Sequence, residues 1–474
     1  MSATDTYSSR LTIFLSLIFI SLTYLLFNPF NKPEQLERLQ YVGESAGRMM
    51  DRHLEFYAGY ESVGELERYL HRFLFGARSE VEAQSKENFE EVLAFFKRHP
   101  QQTSPWALLN TQSRLLVVLA ESGETEALRV RLQEFDDSPE IELVAEAVRY
   151  AYLQEGSEES LPEIMYGARM MPLGWASDRL WIRIAERRGD KLAEDYLSRR
   201  HLANGSKQRQ QVLSISVLVF VITVLGFVLL IKYREVFNTT VWRSQPMHWP
   251  LRLGYALAIR SAVAGLLIML LLQLLVTQYF QPGVLASWST LFASIPMLYL
   301  LHTHLKRDLP PGIVAGFGLS LCDVGWKRFF IICLGFIAID WFGSMLISWL
   351  GWTLGISSHW SESINERMVF GPSETMWLGL INLVIFAAVF EELGFRGIVY
   401  GTMRSRMNAN RAMLISALLF SSVHLYSLAG FLSVLWSGLV LAYMYERYRS
   451  LLPGMVVHGA GNLLSFGTVL LFYT

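Results

Sequence analysis

Residues 375–397 read TMWLGLINLVIFAAVFEELGFRG. From Thr375 to Phe390 the run carries no charge and suits the hydrocarbon core of a bilayer. Glu391, Glu392 and Arg396 then arrive together. One charge at the centre of a spanning helix costs roughly 2.5–3.5 kcal/mol on insertion scales, so a cluster of them asks for a reason. On an α-helix Glu392 and Arg396 are four positions apart, share a face and can form an ion pair. Glu391 is rotated from Glu392 by about 100° and is left without that partner. Desolvation near a bundle interior raises the proton affinity of a carboxylate, which suits a general base. The plainer reading of the same residues is a structural ion pair at a helix end.

The rest of the chain places this segment in a membrane protein. Of 474 residues, 52% are hydrophobic and only 18% charged, against about 25% in soluble domains. The net charge of −1 gives no general attraction for nucleic acid, and none is expected as a partner. Cys322 and Cys333 both lie in the apolar half and suggest neither a disulfide framework nor a zinc knuckle. Residues 1–30 read as a retained membrane anchor: the apolar run from Leu11 to Phe30 is long enough to span and has no small-residue cleavage pattern after it. Further spans are expected near 211–232, 252–278, 283–303, 329–350, 375–396, 411–426, 430–446 and 452–472. The expected fold is therefore all-α: a polytopic bundle of about nine spans, with the lipid bilayer as its surroundings.

Between the anchor and the bundle, residues 31–210 are charged, amphipathic and almost free of strand-like alternation. Helices there are expected to end at Gly76, Pro100, Gly123, Gly156, Gly174 and Gly189. The stretch from Ser113-Arg114-Leu115 to Gly123-Glu124 echoes that from Asp178-Arg179-Leu180 to Gly189-Asp190. The separation is about two 34-residue helical repeats, which suggests an inserted, soluble, tetratricopeptide-like helical domain; an irregular helical domain with one chance echo reads equally well. Its grooves suit a protein partner. Lys232, Arg234 and Arg243, then Lys306, Arg307, Lys327 and Arg328, then Arg404, Arg406 and Arg411, and finally Arg447 and Arg449 fall in short loops on one side. The positive-inside rule then puts the N-terminus in the cytoplasm and residues 31–210 outside it. Arg199, Arg200, Lys207 and Arg209 run against that orientation, in a long domain where the rule is weak. The expected location is a bacterial cytoplasmic membrane, crossed many times.

Two later spans carry complementary groups. Phe420-Ser421-Ser422-Val423-His424 sets an aromatic ring and an imidazole on one helix face. His458-Gly459-Ala460-Gly461-Asn462 sets an imidazole and an amide on one face, with small residues between them that allow close helix approach. A lone membrane histidine is most often a packing residue. Two histidines, an asparagine and a diglutamate in neighbouring spans are a different matter. Asp340 is solitary in its span, and Ser437-Gly438 lacks the glycine pattern of a serine nucleophile, so both are weaker candidates.

The ordered trio Glu391-Glu392-x-x-x-Arg396, Phe420-x-x-x-His424 and His458-x-x-x-Asn462 resembles the motifs of the CPBP family, the CAAX protease and bacteriocin-processing (Abi) group that includes type II CAAX prenyl endopeptidases. The resemblance covers roughly residues 330–474 of the 211–474 bundle and leaves 31–210 unaccounted for. It implies an intramembrane endopeptidase acting on a membrane protein or a lipidated, CAAX-like peptide. Glu391 would activate water and His424 would help to position it. His458 and Asn462 would donate to the oxyanion. Glu392, Arg396 and Phe420 would organise the site. Members of the family are commonly described as metalloproteases, and Glu391, His424 and His458 could supply a site for zinc or another divalent metal. The chain has no His-Glu-x-x-His, so metal dependence stays open. A non-catalytic scaffold or immunity protein with the same fold is the alternative, and a proton-linked transporter a further one.

Helix geometry raises one difficulty. Glu391 is expected near the cytoplasmic end of its span, whereas His424 falls roughly 20 Å into the next one at 1.5 Å per residue. The two meet if the 411–426 helix begins outside the hydrocarbon or tilts strongly, or if the Glu391 helix continues past residue 400.

Overall fold

In the computed structural model, helix is the only regular structure among the described residues. These are 9–26, 35–60, 63–134, 139–238, 249–279, 288–305, 313–320, 325–356 and 358–473. Arg243, Lys306, Arg307, Cys322 and the last residues of the expected anchor, 27–30, lie outside them. The chain divides into two compact units, Pro33–Ile215 with Val469–Thr474, and Met1–Lys32 with Ser216–Thr468. Helices of one or two turns are left unnumbered below.

After α1 (Ser9–Leu26), the polar unit is built from α2 (Val42–Ala58), α3 (Glu65–Phe75), α4 (Arg78–Arg98), α5 (Pro105–Glu121), α6 (Thr125–Glu134), α7 (Pro139–Val148), α8 (Leu161–Met170), α9 (Trp175–Arg188) and the first part of α10 (Lys191–Lys232). The two echoing stretches lie on α5 and α9 and end in the same way. Gly123 and Gly189 both take positive φ. Glu124 N–H bonds Leu119 O at 3.0 Å and Gly123 N–H bonds Ala120 O at 3.1 Å, while Asp190 bonds Ala185 O and Gly189 bonds Glu186 O, each at 3.1 Å. Both are Schellman caps, in which a residue without Cβ lets the chain turn left-handed and satisfies the last carbonyls. The echo therefore records a shared way of stopping a helix.

The same two helices are tied by charge. The Glu121 carboxylate, 2% exposed, accepts from Arg179, from Arg183 Nε at 3.0 Å and from Tyr152 Oη at 2.8 Å. Burial pushes its pKa up, but the hydrogen bonds from Arg179 and Arg183 outweigh that and hold it below the usual carboxylate value. The stabilisation is thus fully present above the unfolded value of 4.5 and is lost as pH falls through the lower folded value. Glu121→Gln should lower stability by about 2 kcal/mol at pH 7, with the deficit vanishing in strong acid. Thermal unfolding of the two proteins across pH 3–7, about the carboxylate range, measures this; a deficit independent of pH would contradict it.

The apolar unit contains α11 (Leu251–Tyr279), α12 (Ser289–Leu300), α13 (Trp326–Thr353), α14 (Ser373–Arg404), α15 (Ala409–Ser422), α16 (Leu428–Tyr448) and α17 (Leu452–Tyr473). Among the described residues, six helices are long and apolar enough to cross a membrane: α10, α11, α13, α14, α16 and α17. The protein is an all-α, polytopic integral membrane protein. The other three expected spans are not among these six: the apolar stretch of α1 is Ser9–Phe19, and α12 runs on through a π-helical turn, Leu301–Leu305, to the edge of the described residues. At 14 residues α15 is only about 21 Å long, short of a hydrocarbon core of ~30 Å.

Candidate active site

Four helices bring the three motifs together. Helix α14 is continuous for 32 residues and passes through two wide π-helical stretches, Asn382–Ala387 and Glu392–Tyr400. Such widenings are rare and concentrate at functional sites. Because α14 runs on to Arg404, Glu391 sits well inside it. Helix α15 starts at Ala409, capped by the Asn408 side chain accepting from Arg411 N–H at 3.0 Å, and ends at Ser422. His424 thus follows a short helix that returns alongside α14, and continuation past residue 400 resolves the difficulty of depth.

At the centre is a buried ion pair. Arg396 Nη1 donates to Glu392 Oε1 at 2.7 Å, with side chains 0% and 1% exposed. Arg396 Nη2 donates to Gly438 O on α16 at 3.2 Å, and the guanidinium lies over the Phe420 ring, 4.2 Å from its centroid. The helices approach closely there: a Cβ on Gly438 would lie 3.0 Å from Ala417 Cβ. Phe420 is the common floor: Phe395, His424 and His458 pack edge-on against it at centroid distances of 5.2, 4.8 and 5.7 Å.

Each histidine is fixed through Nδ1. His458 Nδ1 lies 3.0 Å from Glu392 Oε1, and the carboxylate, paired with Arg396, only accepts, so Nδ1 carries the proton. His458 Nε2 then faces Glu391 Oε2 across 3.7 Å, beyond hydrogen-bond length. His424 Nδ1 lies 2.7 Å from Phe420 O, an acceptor as well, which likewise leaves Nε2 for chemistry. Asn462 Nδ2 donates to Leu383 O on α14 at 2.8 Å. Gly459 makes that approach possible, since a Cβ there would stand 2.9 Å from Val384 O.

The structure thus gathers Glu391, Glu392, Arg396, Phe420, His424 and His458 around one ring and one ion pair, with Asn462 against the neighbouring backbone of α14. It adds residues that the sequence reading set aside or missed. Asp340 on α13 accepts from Ser437 Oγ at 2.6 Å, and its carboxylate lies 3.9 Å from where a Cβ on Gly461 would be, against the helix that carries His458. Glu362 accepts from the Ser427 hydroxyl at 3.1 Å and from its N–H, holding the turn that follows His424, in which Leu425 has φ +56°. Neither role had a local signal, because each partner is distant in sequence.

Metal ligation was weighed on the same atoms. Bare Nε2 atoms backed by Nδ1 hydrogen bonds are what metal-bound histidines present. Among the described residues, however, no three His, Cys, Asp or Glu side chains lie together closely enough to hold an ion. As placed, Glu391, His424 and His458 do not form such a group.

Helical spans enclosing a carboxylate, two imidazoles and an amide define a membrane protein with an acid–base cluster in its bundle. Residues 373–464, which contain all seven motif residues, match the family model described as type II CAAX prenyl endopeptidase Rce1-like. That segment is similar to the CAAX protease family. No curated protein and no solved structure matches the chain.

The geometry separates two kinds of carboxylate. Removing one member of a buried pair strands the other, at about 3–5 kcal/mol. Arg396→Met should therefore lower the unfolding free energy in detergent by that amount. Glu391, 29% exposed and 3.7 Å from His458 Nε2, should tolerate Gln within about 0.5 kcal/mol. Thermal unfolding of both variants checks this; equal losses would show that the two glutamates share one structural role.

Proposed function

We propose that this protein is an intramembrane endopeptidase that hydrolyses a peptide bond of a membrane-associated or CAAX-like protein, with Glu391 as the base. The observation that carries the reading is the facing of Glu391 Oε2 and His458 Nε2 across 3.7 Å, with His458 anchored from behind by the Glu392–Arg396 pair. A polar gap of that length suits a bridging water.

In this reading Glu391 takes one proton from the water as its oxygen attacks the scissile carbonyl carbon. The carbonyl π electrons move to oxygen, giving a tetrahedral oxyanion. Asn462 Nδ2 has a second hydrogen beyond the one given to Leu383 O, and His458, when protonated on Nε2, has a second donor. Both would be aimed at the developing charge, where preorganised donors are worth most. His424 Nε2, an acceptor while the ring is neutral, would hold the water's other hydrogen. Collapse of the intermediate breaks the C–N bond, and the proton held by Glu391 passes to the leaving amine. Glu392, Arg396 and Phe420 touch no reacting atom; they position His458 and His424.

General-base loss typically slows such a step by about 10²–10⁴-fold. Mapping membrane-protein termini in cells that carry wild type or Glu391→Gln at matched abundance tests the proposal. Termini made only by wild type are expected, and they would also name the substrate. Identical termini with a folded variant would favour a non-catalytic scaffold.

A further inference from the structure

Helix α3 carries apolar residues on two sides. Its inner side packs on α2: His71 stacks with Tyr60 and Phe56 at 3.7 and 5.0 Å, Phe75 meets Phe56 at 5.4 Å, and Tyr57 Oη donates to Phe75 O. Its outer side shows Leu66, Tyr69, Leu70 and Phe73 at i, i+3, i+4 and i+7, exposed by 73, 69, 49 and 58%. That is a stripe about 100° wide, the pattern of a buried helix face, left uncovered. Arg72, exposed, borders it, while Arg68, also exposed, is turned about 100° away from Tyr69.

What lies beside α3 within the same unit indicates what covers the stripe. Glu67 on α3 pairs with Arg209 on α10 at 2.6 Å, and the Arg209 guanidinium sits over Tyr60. Gly59 at the end of α2 and Gly205 on α10 are in backbone contact: a Cβ on Gly205 would lie 2.6 Å from Gly59 N. Arg209 is the last charge before Val212–Ile231, a stretch of α10 with none. At 1.5 Å per residue the polar-to-apolar boundary of that span is about 5 Å from the Glu67–Arg209 pair. A second span ends at the same level. Gln208 Nε2 donates to Phe472 O near the end of α17 at 2.8 Å, and the Phe472 ring packs on His53 and Phe56.

From this geometry we infer that α3 is an interfacial helix, whose Leu66, Tyr69, Leu70 and Phe73 stripe inserts into the headgroup–acyl boundary of the bilayer that α10 and α17 cross. Leucine and aromatic side chains on one face, with an arginine, Arg72, able to reach to phosphates from its edge, are the chemistry of a helix lying in that plane. The stripe needs no other partner, because the membrane continues from the two span ends that α3 adjoins.

The test uses the full chain, with Cys322 and Cys333 replaced by Ser, in nanodiscs of phosphatidylcholine and phosphatidylglycerol. A nitroxide is attached singly through Leu66→Cys, Tyr69→Cys, Leu70→Cys, Phe73→Cys, Arg68→Cys and Arg72→Cys. Its collision rates with oxygen, which partitions into lipid, and with a water-soluble nickel chelate are compared. The ratio of oxygen to nickel accessibility should be several-fold higher at 66, 69, 70 and 73 than at 68 and 72. Equal ratios at all six would overturn the inference and make the stripe a water-exposed face. Exclusion of both reagents at the four stripe positions would overturn it too, and assign the stripe to a protein partner or a second copy. Because the six labels occupy exposed positions, a pattern across them survives the loss of any one variant.

Discussion

The Glu392–Arg396 pair is the constraint on which the candidate site depends. A guanidinium and a carboxylate with almost no exposure, in a bundle with lipid around it, are tolerable only when they are paired and hydrogen-bonded, and here they are, although Arg396 Nε has no hydrogen-bond partner. Arg396 reaches Glu392, the Gly438 carbonyl and the face of Phe420. Glu392 spends its remaining capacity on His458 Nδ1. The consequence is directional: the imidazole is fixed in one tautomer with Nε2 turned to Glu391. Packing of α14, α15, α16 and α17 is organised by the same contacts, so bundle stability and site geometry are not separable at these residues.

Much of this was legible in the sequence, for physical reasons. Charges inside apolar runs stand out because they are costly, and the i,i+4 spacing of Glu392 and Arg396 foretold the ion pair. The Gly459 and Gly461 spacers foretold close helix approach, seen where Gly459 meets Val384 O. Glycine punctuation at Gly123 and Gly189 foretold two helix ends, because glycine adopts a left-handed cap without strain. What escaped was long-range or cooperative. Counting apolar residues could not show that α15 is too short to span, since His424 lies beyond its end and belongs to a turn held by Glu362. Nor could it place Asp340 and Ser437 behind the His458 helix. The π-helical widening of α14 has no sequence signature, yet it shapes the segment from Glu392 to Tyr400.

The division between the glutamates has a chemical logic. Glu392 is saturated and buried, which disqualifies it from taking a proton from water. Glu391 is partly open and meets His458 only beyond hydrogen-bond length. In the proposed reading, adjacent residues of one type take opposite tasks, one holding the site and one left for chemistry, as when two carboxylates are placed in contrasting surroundings.

The most direct test of that division replaces the whole pair, Glu392→Leu with Arg396→Met. Exchanging both partners of a buried pair for apolar side chains of similar size leaves no stranded charge, so the unfolding midpoint should return close to wild type. His458 would nevertheless lose the acceptor on Nδ1 that aims it. The account predicts a stable protein that no longer generates the membrane-protein termini made by wild type. A double variant that cleaves at the wild-type rate would contradict it, and would reduce the pair to a packing element.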